Sequence, residues 1–401
     1  MRAFGKLMPF EEALKLAMEA VKPIGRKEKL KLGEVLGRVI SEELISPMNV
    51  PGYTRASMDG YAFNSADTST ASEESKVSLR IKAEIFAGET DIPVLSSGET
   101  FKIATGGMIP EGADAVIPFE DIEERPDSIL IDKPIEAGSC LGLEGEDMKI
   151  GDNVLKKGTL LHAGHIGAAA SIGVSELECY ERPVVAIGVS GDEIAKIGES
   201  LGPGEVYDTN SYTLSAVISR SGGVAKRLPI VRDSVEQIEE ALSSSNADIL
   251  TFTGGSSVGE RDLIVDAIRN LGEVIFHGVT VKPGKPTLLG KVGDKLVLGM
   301  PGYPTSCLTV ASVLLMPMIR KMSRTENNIS SNLVEATLSE TVTSKPGSHQ
   351  VIPVKITDGY AKTVFKGSSV ITSMSNADGY IEMPAGISEI KAGEKIIVTL
   401  L

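Results

Sequence analysis

The most restrictive feature of this chain is the alternation that starts at Arg182 and runs to about Met322. VVAIGV, LPIVRD and DILTFTGG are apolar almost throughout, and each is followed by a segment of helical spacing: NSYTLSAVISRSGG, SVEQIEEALSSS and DLIVDAIRNLG. A strand that is apolar on both faces has to be covered on both, and strands separated by helices pair in parallel, so this region predicts a three-layer α/β/α domain around a parallel sheet. Local signals agree: Asn210 reads as an N-cap, Ser234 with Gln237 as a capping box, and Gly222 and Gly272 as helix stops.

The flanks have different textures. Phe10, Leu14, Met18 and Val21 share one helical face, with PIG at 23 to 25 as the stop. Between Val77 and Asp132, alternating runs such as VSLRIKAEIF and SILID are broken by Gly and Pro every ten residues or so, which predicts a small β-rich domain inserted between Gly-rich connecting segments. After SRTENNISSN come LVEATLSETV, HQVIPVKI, YAKTVF and EKIIVTL, the strands of a C-terminal all-β domain. The expected division is therefore 1–45 with 138–180 as connecting domain, 46–137 as inserted domain, 181–324 as α/β domain and 325–401 as β domain.

Charge narrows the function. The net charge of −14 argues against binding nucleic acid or an anionic membrane surface, so an anionic substrate must find a local basic patch. Cys140, Cys179 and Cys307 are scattered and odd in number, and offer neither a disulfide framework nor a CxxC site. The N-terminus has helical spacing rather than a signal-peptide core, and TVASVLLMPMI is shorter than the roughly 20 residues a span requires. A soluble cytoplasmic protein is expected. His162 and His165 in HAGH would need further ligands to hold zinc, and the Gly between them reads as a turn.

Three loops of the α/β region carry candidate chemistry. ILTFTGGSSVGERD is a buried strand running into Gly254, Gly255, Ser256, Ser257 and Gly259, whose backbone N–H groups and hydroxyls suit a phosphate at a helix N-terminus. Glu260 and Asp262 follow and can hold a divalent cation against that phosphate; the plain alternative is a tight turn with a capping Asp. VTVKPGKPTLLG sets Lys282 and Lys285 about a Pro-Gly turn, with Pro286 limiting loop freedom, which makes an oxyanion site or a solvated turn. LGMPGYPTSCL ends a strand at Pro301 and Pro304 and enters a helix carrying Thr305 and Ser306. Loops at the carboxyl ends of strands in one parallel sheet converge on one crevice, which favours the functional reading of all three. Asp192, Glu193, Asp208 and Asp233 add acidic groups at that edge, suited to a magnesium-bridged phosphate reaction, with capping as the other reading of Asp208 and Asp233. No Cys or His is placed as a nucleophile, so no covalent intermediate is expected.

PGYTRASMDGYAFNSADT, ATGGMIPEGADAVIPFED, GEDMKIGD, TGGSSVGERD, VKPGKPT and MPGYPTS, in this order, resemble the MoeA family of molybdopterin molybdenumtransferases, relatives of the gephyrin E domain. The resemblance spans about residues 5 to 400. It implies an elongated connecting domain, an inserted β-rich domain, a molybdopterin-binding α/β domain and a C-terminal β-barrel. It also implies a homodimer with a site shared between subunits, and a transient contact with the molybdopterin adenylyltransferase. The implied reaction joins molybdate to adenylylated molybdopterin and releases AMP, with Mg²⁺ as cofactor at Asp233 and Asp262. Asp59 in SMDGYA and Thr105 in ATGG match family positions in the shared site, Asp147 in GEDM another, and Glu193, Asp233, Asp262, Lys282, Lys285, Pro301 and Pro304 match positions in the α/β domain. Ser306 and a C-terminal serine, Ser368 in KGSS or Ser373 in ITSMS, extend the carry-over. The chain departs from the family at Tyr303, where Asn is common, and at Gly278, where some members carry Lys. Competing expectations are a tungstate-inserting paralogue, the adenylyltransferase step, which usually belongs to a lone α/β domain, and a scaffold role like that of gephyrin.

Overall fold

A computed structural model describes residues 7–232, 234–254, 262–326, 332–344 and 346–401. The chain divides into two compact units, one of residues 30–36 with 42–177 and the other of residues 1–29, 37–41 and 178–401.

The first unit is built on a six-stranded sheet made by β1 (Gly60–Phe63), β2 (Val77–Ile85), β3 (Glu99–Ile103), β4 (Ala115–Pro118), β5 (Glu123–Arg125) and β6 (Ser128–Ile131). Their spatial order is β4-β1-β3-β2-β6-β5. Side chains of successive strand residues point to opposite faces, and here both faces are covered: Tyr61, Phe63, Ile117 and Ile129 meet on one, Ala62, Phe101, Ile103 and Val116 on the other. Gly60 begins β1 because a Cβ there would stand 2.1 Å from the Ile117 carbonyl oxygen. The HAGH segment opens a helix at Ala163–Ser171, with His162 as its cap: Nδ1 of His162 accepts from Gly164 N at 3.1 Å and the two imidazoles stack at 3.7 Å. The Gly between the two histidines is thus helical, not the turn expected of it.

In the second unit, α1 (Phe10–Ala20) contributes Phe10, Ala13 and Ala17 to the same core as the α/β sheet, although the sequence places this helix with the connecting segment. The sheet consists of β7 (Val184–Val189), β8 (Val224–Arg227), β9 (Ile249–Thr253), β10 (Glu273–His277), β12 (Leu288–Val292) and β13 (Lys295–Met300), with β11 (Val281–Lys282) set apart from it. Its order is β8-β7-β9-β13-β12-β10. β8, β7, β9 and β13 are parallel, while β12 and β10 extend the sheet antiparallel. That extension departs from the parallel sheet expected throughout. KVGDKL turns at Gly293 (φ +60°) directly from Val292 to Lys295, and so short a link forms a hairpin, not a crossover. Residues 228–232 are likewise a loop rather than a strand, apart from one bridge of Val231 to Ser190, and β8 lies just before them.

Alternation within the parallel strands explains their all-apolar texture. Val185, Ile187, Ile249 and Leu298 enter one core with α2 (Asn210–Arg220), whereas Ala186, Leu250, Phe252 and Val297 enter another with α3 (Val235–Ser244) and α4 (Leu263–Leu271). Ser234 Oγ caps α3 by accepting from Gln237 N, but Gln237 Oε1 accepts from Arg232 N, so only half of the expected capping box forms. At α2 the cap is supplied by Asp208, whose Oδ1 accepts from Ser211 N at 2.9 Å and whose Oδ2 accepts from the Ser211 hydroxyl. Asn210 is the first helical residue instead, which frees its side chain for another role. The α5 helix (Pro304–Val310) follows β13.

The C-terminal strands are β14 (Leu333–Leu338), β15 (His349–Thr357), β16 (Tyr360–Thr363), β17 (Gly379–Met383) and β18 (Lys395–Leu400). Pairing runs β15-β16-β14-β18-β17 and returns from β17 to β15, closing a five-stranded barrel around Leu338, Val354, Ala361, Met383 and Val398. The closing strand β17 is the one that the sequence pattern leaves unassigned. β11 adds to the barrel in parallel, with Val281 opposite His349 and Lys282 opposite Gln350. No helix among the described residues is long and apolar enough to cross a membrane.

Candidate functional site

The carboxyl ends of β7, β9 and β13 open into a crevice of ≈ 1290 Å³, lined there by Ser190, Thr253, Gly254, Pro301 and Gly302. Parallel strands bring their C-terminal ends to one edge, so the topology makes this a natural place for a ligand. Gly254 is obligatory for a geometric reason: φ is +91°, and a Cβ would stand 2.0 Å from the Ser190 carbonyl oxygen. Across the crevice mouth, Asn210 Nδ2 donates to Gly302 O at 2.8 Å and so fixes the turn between β13 and α5.

Lys282, at the end of β11, and Lys285, in the loop after it, reach the same crevice, both with exposed side chains. The loop is closed on itself: Thr287 Oγ1 donates to Gly284 O at 2.6 Å and Val279 N donates to Lys285 O at 3.0 Å. Gly284, at φ +136°, packs against Val310, where a Cβ would come within 2.5 Å of its Cγ2. The barrel supplies Gln350 next to Lys282, and Phe365, Ser368 and Ser369 from the segment after β16. That segment is pinned to α5, since Thr305 N donates to Ser368 O at 3.1 Å and Thr305 Oγ1 donates to Val370 O at 2.8 Å. Glu193 and Asp208 also line the crevice, but Asp208 is occupied in capping α2. No His or Cys lines it among the described residues.

Of the residues singled out from sequence, Glu193, Gly254, Lys282, Lys285, Pro286, Pro301, Pro304, Ser306 and Ser368 all line this crevice. Between the two C-terminal serines the geometry separates the roles: Ser368 faces the crevice, while Ser373 is fully buried and accepts from Lys366 N through Oγ. Asp233, Gly255, Ser256, Ser257 and Gly259 lie outside the described residues. Asp262 does not line the crevice; it caps α4, with Oδ1 accepting from Val265 N at 3.3 Å and Oδ2 3.1 Å from His277 Nε2. Sequence reading passed over Ser190, Asn210, Gln350 and Phe365. Asn210 was mistaken for a cap because an Asn just before a helix has that signature; its real signal is the strand end that it faces, which only the fold reveals.

In the other unit, antiparallel pairing of Gly60 with Ile103 brings Asp59, just before β1, within reach of Thr105, two residues past β3. Asp59 Oδ1 accepts from Thr105 N at 2.7 Å and from the Thr105 hydroxyl at 2.8 Å. These bonds, the backbone one foremost, hold the Asp59 carboxyl below its ordinary range although it is exposed. Gly106 N donating to Ala56 O and Ala56 N donating to Gly107 O lock the two loops together. Asp147 is exposed, with its N–H donating to Val50 O. Among the described residues no group of three or more His, Cys, Asp or Glu is placed to hold a metal ion.

Comparison with known proteins places this geometry. Three family models match in chain order: the MoeA N-terminal region (domain I and II) over residues 8–173, a probable molybdopterin binding domain over 186–321, and the MoeA C-terminal region (domain IV) over 335–401. A Methanocaldococcus jannaschii protein named for molybdopterin biosynthesis is 31% identical over the whole of both chains. A molybdopterin molybdenumtransferase of Haemophilus influenzae is 32% identical over 79% of this chain and 78% of its own. The solved molybdopterin biosynthesis MoeA protein from Pyrococcus horikoshii is 36% identical and superposes with a TM-score of 0.86, covering 98% of this chain and 99% of its own. Matches of this extent, on a fold with the expected α/β domain, inserted sheet and closed C-terminal barrel, make the chain a member of the MoeA family.

Proposed function

We propose that this enzyme transfers molybdenum from molybdate to adenylylated molybdopterin and releases AMP, a late step in making the molybdenum cofactor. The observation that carries the reading is the pairing of Lys282 and Lys285 with the glycine-framed end of β9 in one crevice. The chain carries a net charge of −14, so two ammonium groups on a short braced loop form a local site for the phosphates and the oxyanion against the field of the whole molecule. Ser306 and Ser368 supply hydroxyls to the same space. Of the carboxylates that line the crevice among the described residues, Asp208 caps α2 and Glu205 accepts from Gly202 N, which leaves Glu193 to orient an attacking water at the phosphoanhydride.

Of the two carboxylates expected to hold magnesium, Asp233 lies outside the described residues, and Asp262 has Oδ1 accepting at the α4 cap and Oδ2 3.1 Å from His277 Nε2; no step is drawn through that ion. We further infer a homodimer in which the Asp59–Thr105 pair of one subunit completes the crevice of the other, supported by an exposed carboxylate that two Thr105 donors hold in a fixed orientation at a locked loop. The enzyme would meet the adenylyltransferase only transiently, to take over its product, and would act in the cytoplasm.

The test is AMP release from molybdopterin-AMP, measured with molybdate and with tungstate separately. Release that depends on molybdate, and that falls at least tenfold in both Lys282→Ala and Lys285→Ala, is the expected result. Full activity in both variants would overturn the assignment of the anion site, and activity with tungstate alone would replace the metal.

A further inference from the structure

The two lysines account for the anionic part of a ligand, but the crevice contains a second chemistry that they do not explain. Six large aromatic side chains are strongly exposed among the described residues, and three of them, Tyr207, Tyr303 and Phe365, line this one crevice. Single exposed aromatics need no explanation; a concentration in a ligand-sized cavity does. Tyr303 is the most exposed of the three at 64%, and Phe365 is 44% exposed.

Both of these rings stand on backbone that is already fixed. Tyr303 follows Gly302, whose carbonyl is held by Asn210 Nδ2 at 2.8 Å, and precedes α5 with its Pro304 start. Phe365 precedes Lys366, whose N–H is held by Ser373 Oγ at 2.9 Å, in the segment that Thr305 staples to α5. The staple joins the two stretches within two residues of Tyr303 and three of Phe365. An exposed ring on a rigid base loses little entropy on stacking, which is what a recognition surface for a flat ligand needs. Tyr207 differs: its hydroxyl donates to Glu199 O at 2.7 Å, which ties the ring to its own loop.

We infer that Tyr303 and Phe365 are the stacking faces of this crevice for a planar fused nitrogen heterocycle, and that they set specificity for the ring as the lysines do for the phosphate. The inference rests on the proposed adenylylated pterin substrate, which carries two such rings, a purine and a pterin. Stacking on an aromatic side chain is tolerant of the ring's edge chemistry, so the shared requirement is a flat π-face.

Isothermal titration of the full-length protein with AMP, ribose 5-phosphate and 6-hydroxymethylpterin separates the parts. Tyr303→Ala and Phe365→Ala should each weaken AMP or the pterin by about five- to 150-fold, the loss expected for one stack, while leaving ribose 5-phosphate within about twofold. Tyr303→Phe should retain the affinity. The ring that weakens identifies which heterocycle occupies the face. Unchanged AMP and pterin affinities in both alanine variants would overturn the inference, as would an equal loss of ribose 5-phosphate. If ribose 5-phosphate fails to bind the unaltered protein while AMP binds and is lost in Tyr303→Ala, the stacking faces stand and the lysine phosphate site falls.

Discussion

Replacing Gly254 by Ala tests the geometry that frames the crevice. The residue sits at φ +91°, and a side chain held in the left-handed region costs about 1–2 kcal/mol. The added Cβ would also stand 2.0 Å from the Ser190 carbonyl oxygen, a separation that real Cβ atoms essentially never show below 3.0 Å. That oxygen is backbone at the end of β7, next to the Ser190 N–H that donates to Thr253 O at 3.0 Å, so relief requires the β7 and β9 ends to part. Forced repacking of that kind adds about 1–3 kcal/mol, for a total near 2–5 kcal/mol out of a typical 5–15. Gly302→Ala is the matched control. It lines the same crevice, but its Cβ would meet only Gly254 Cα at 3.7 Å and N at 3.9 Å, ordinary contact distances, so its cost should stay under about 1 kcal/mol. Urea unfolding followed by circular dichroism, with amide exchange of β7 and β9 to localise the change, should show a midpoint lowered by roughly 1 M for Gly254→Ala and little shift for Gly302→Ala. Equal behaviour of the two variants would refute the argument from close approach.

Three further outcomes follow from named contacts. Thr305→Val removes the hydroxyl that donates to Val370 O at 2.8 Å from a fully buried position and should cost about 1–3 kcal/mol; calorimetry should show a lowered Tm that Thr305→Ser restores. Asp59 should titrate below its ordinary value of 3.8, because the Thr105 N–H and hydroxyl favour the carboxylate. Its small stabilising contribution is thus present above the unfolded value and disappears as pH falls through the lower folded one; carbon-13 NMR should show the midpoint rising in Thr105→Val while staying below 3.8, since the backbone donor remains. Asp262→Ala should lose about 0.5–2 kcal/mol of stability with the α4 cap, whereas Asp262→Asn keeps an acceptor and should fold like the unaltered protein. Loss of molybdate-dependent AMP release in the well-folded Asn variant would assign Asp262 a catalytic role beyond capping, and full activity there would remove it.

Local periodicity revealed more of the fold than of the site. The strands that carry Val185, Ile249 and Leu298 were readable because both faces are buried and their residues are uniformly apolar. The hairpin at Gly293 and the closing strand Gly379–Met383 were not: one depends on a short link whose consequence is topological, the other on a five-residue run whose partner Val354 is 25 positions away. The lysine loop announced itself through KPGK. Asp59 was legible only through the SMDGYA resemblance, and its partner Thr105 comes within reach only through the pairing of Gly60 with Ile103. Asn210 shows the limit most clearly, because its sequence neighbourhood signals a cap while its partner, Gly302 O, lies 92 residues on.

The same long-range ties bear on the choice between the proposed reaction and its nearest rival. An adenylyltransferase of the usual form is an α/β domain alone, and such a domain here would end before the barrel. The crevice would then lose Gln350, Phe365, Ser368 and Ser369, and β11 would lose the strand with which Lys282 pairs. The loop bearing the two lysines is thus ordered from both sides, by its own Thr287–Gly284 bond and by addition to β15. Its cationic edge belongs jointly to the α/β sheet and the barrel. A crevice that takes its lysine loop and Phe365 from barrel contacts fits the metal transfer proposed for it better than adenylylation by an α/β domain alone.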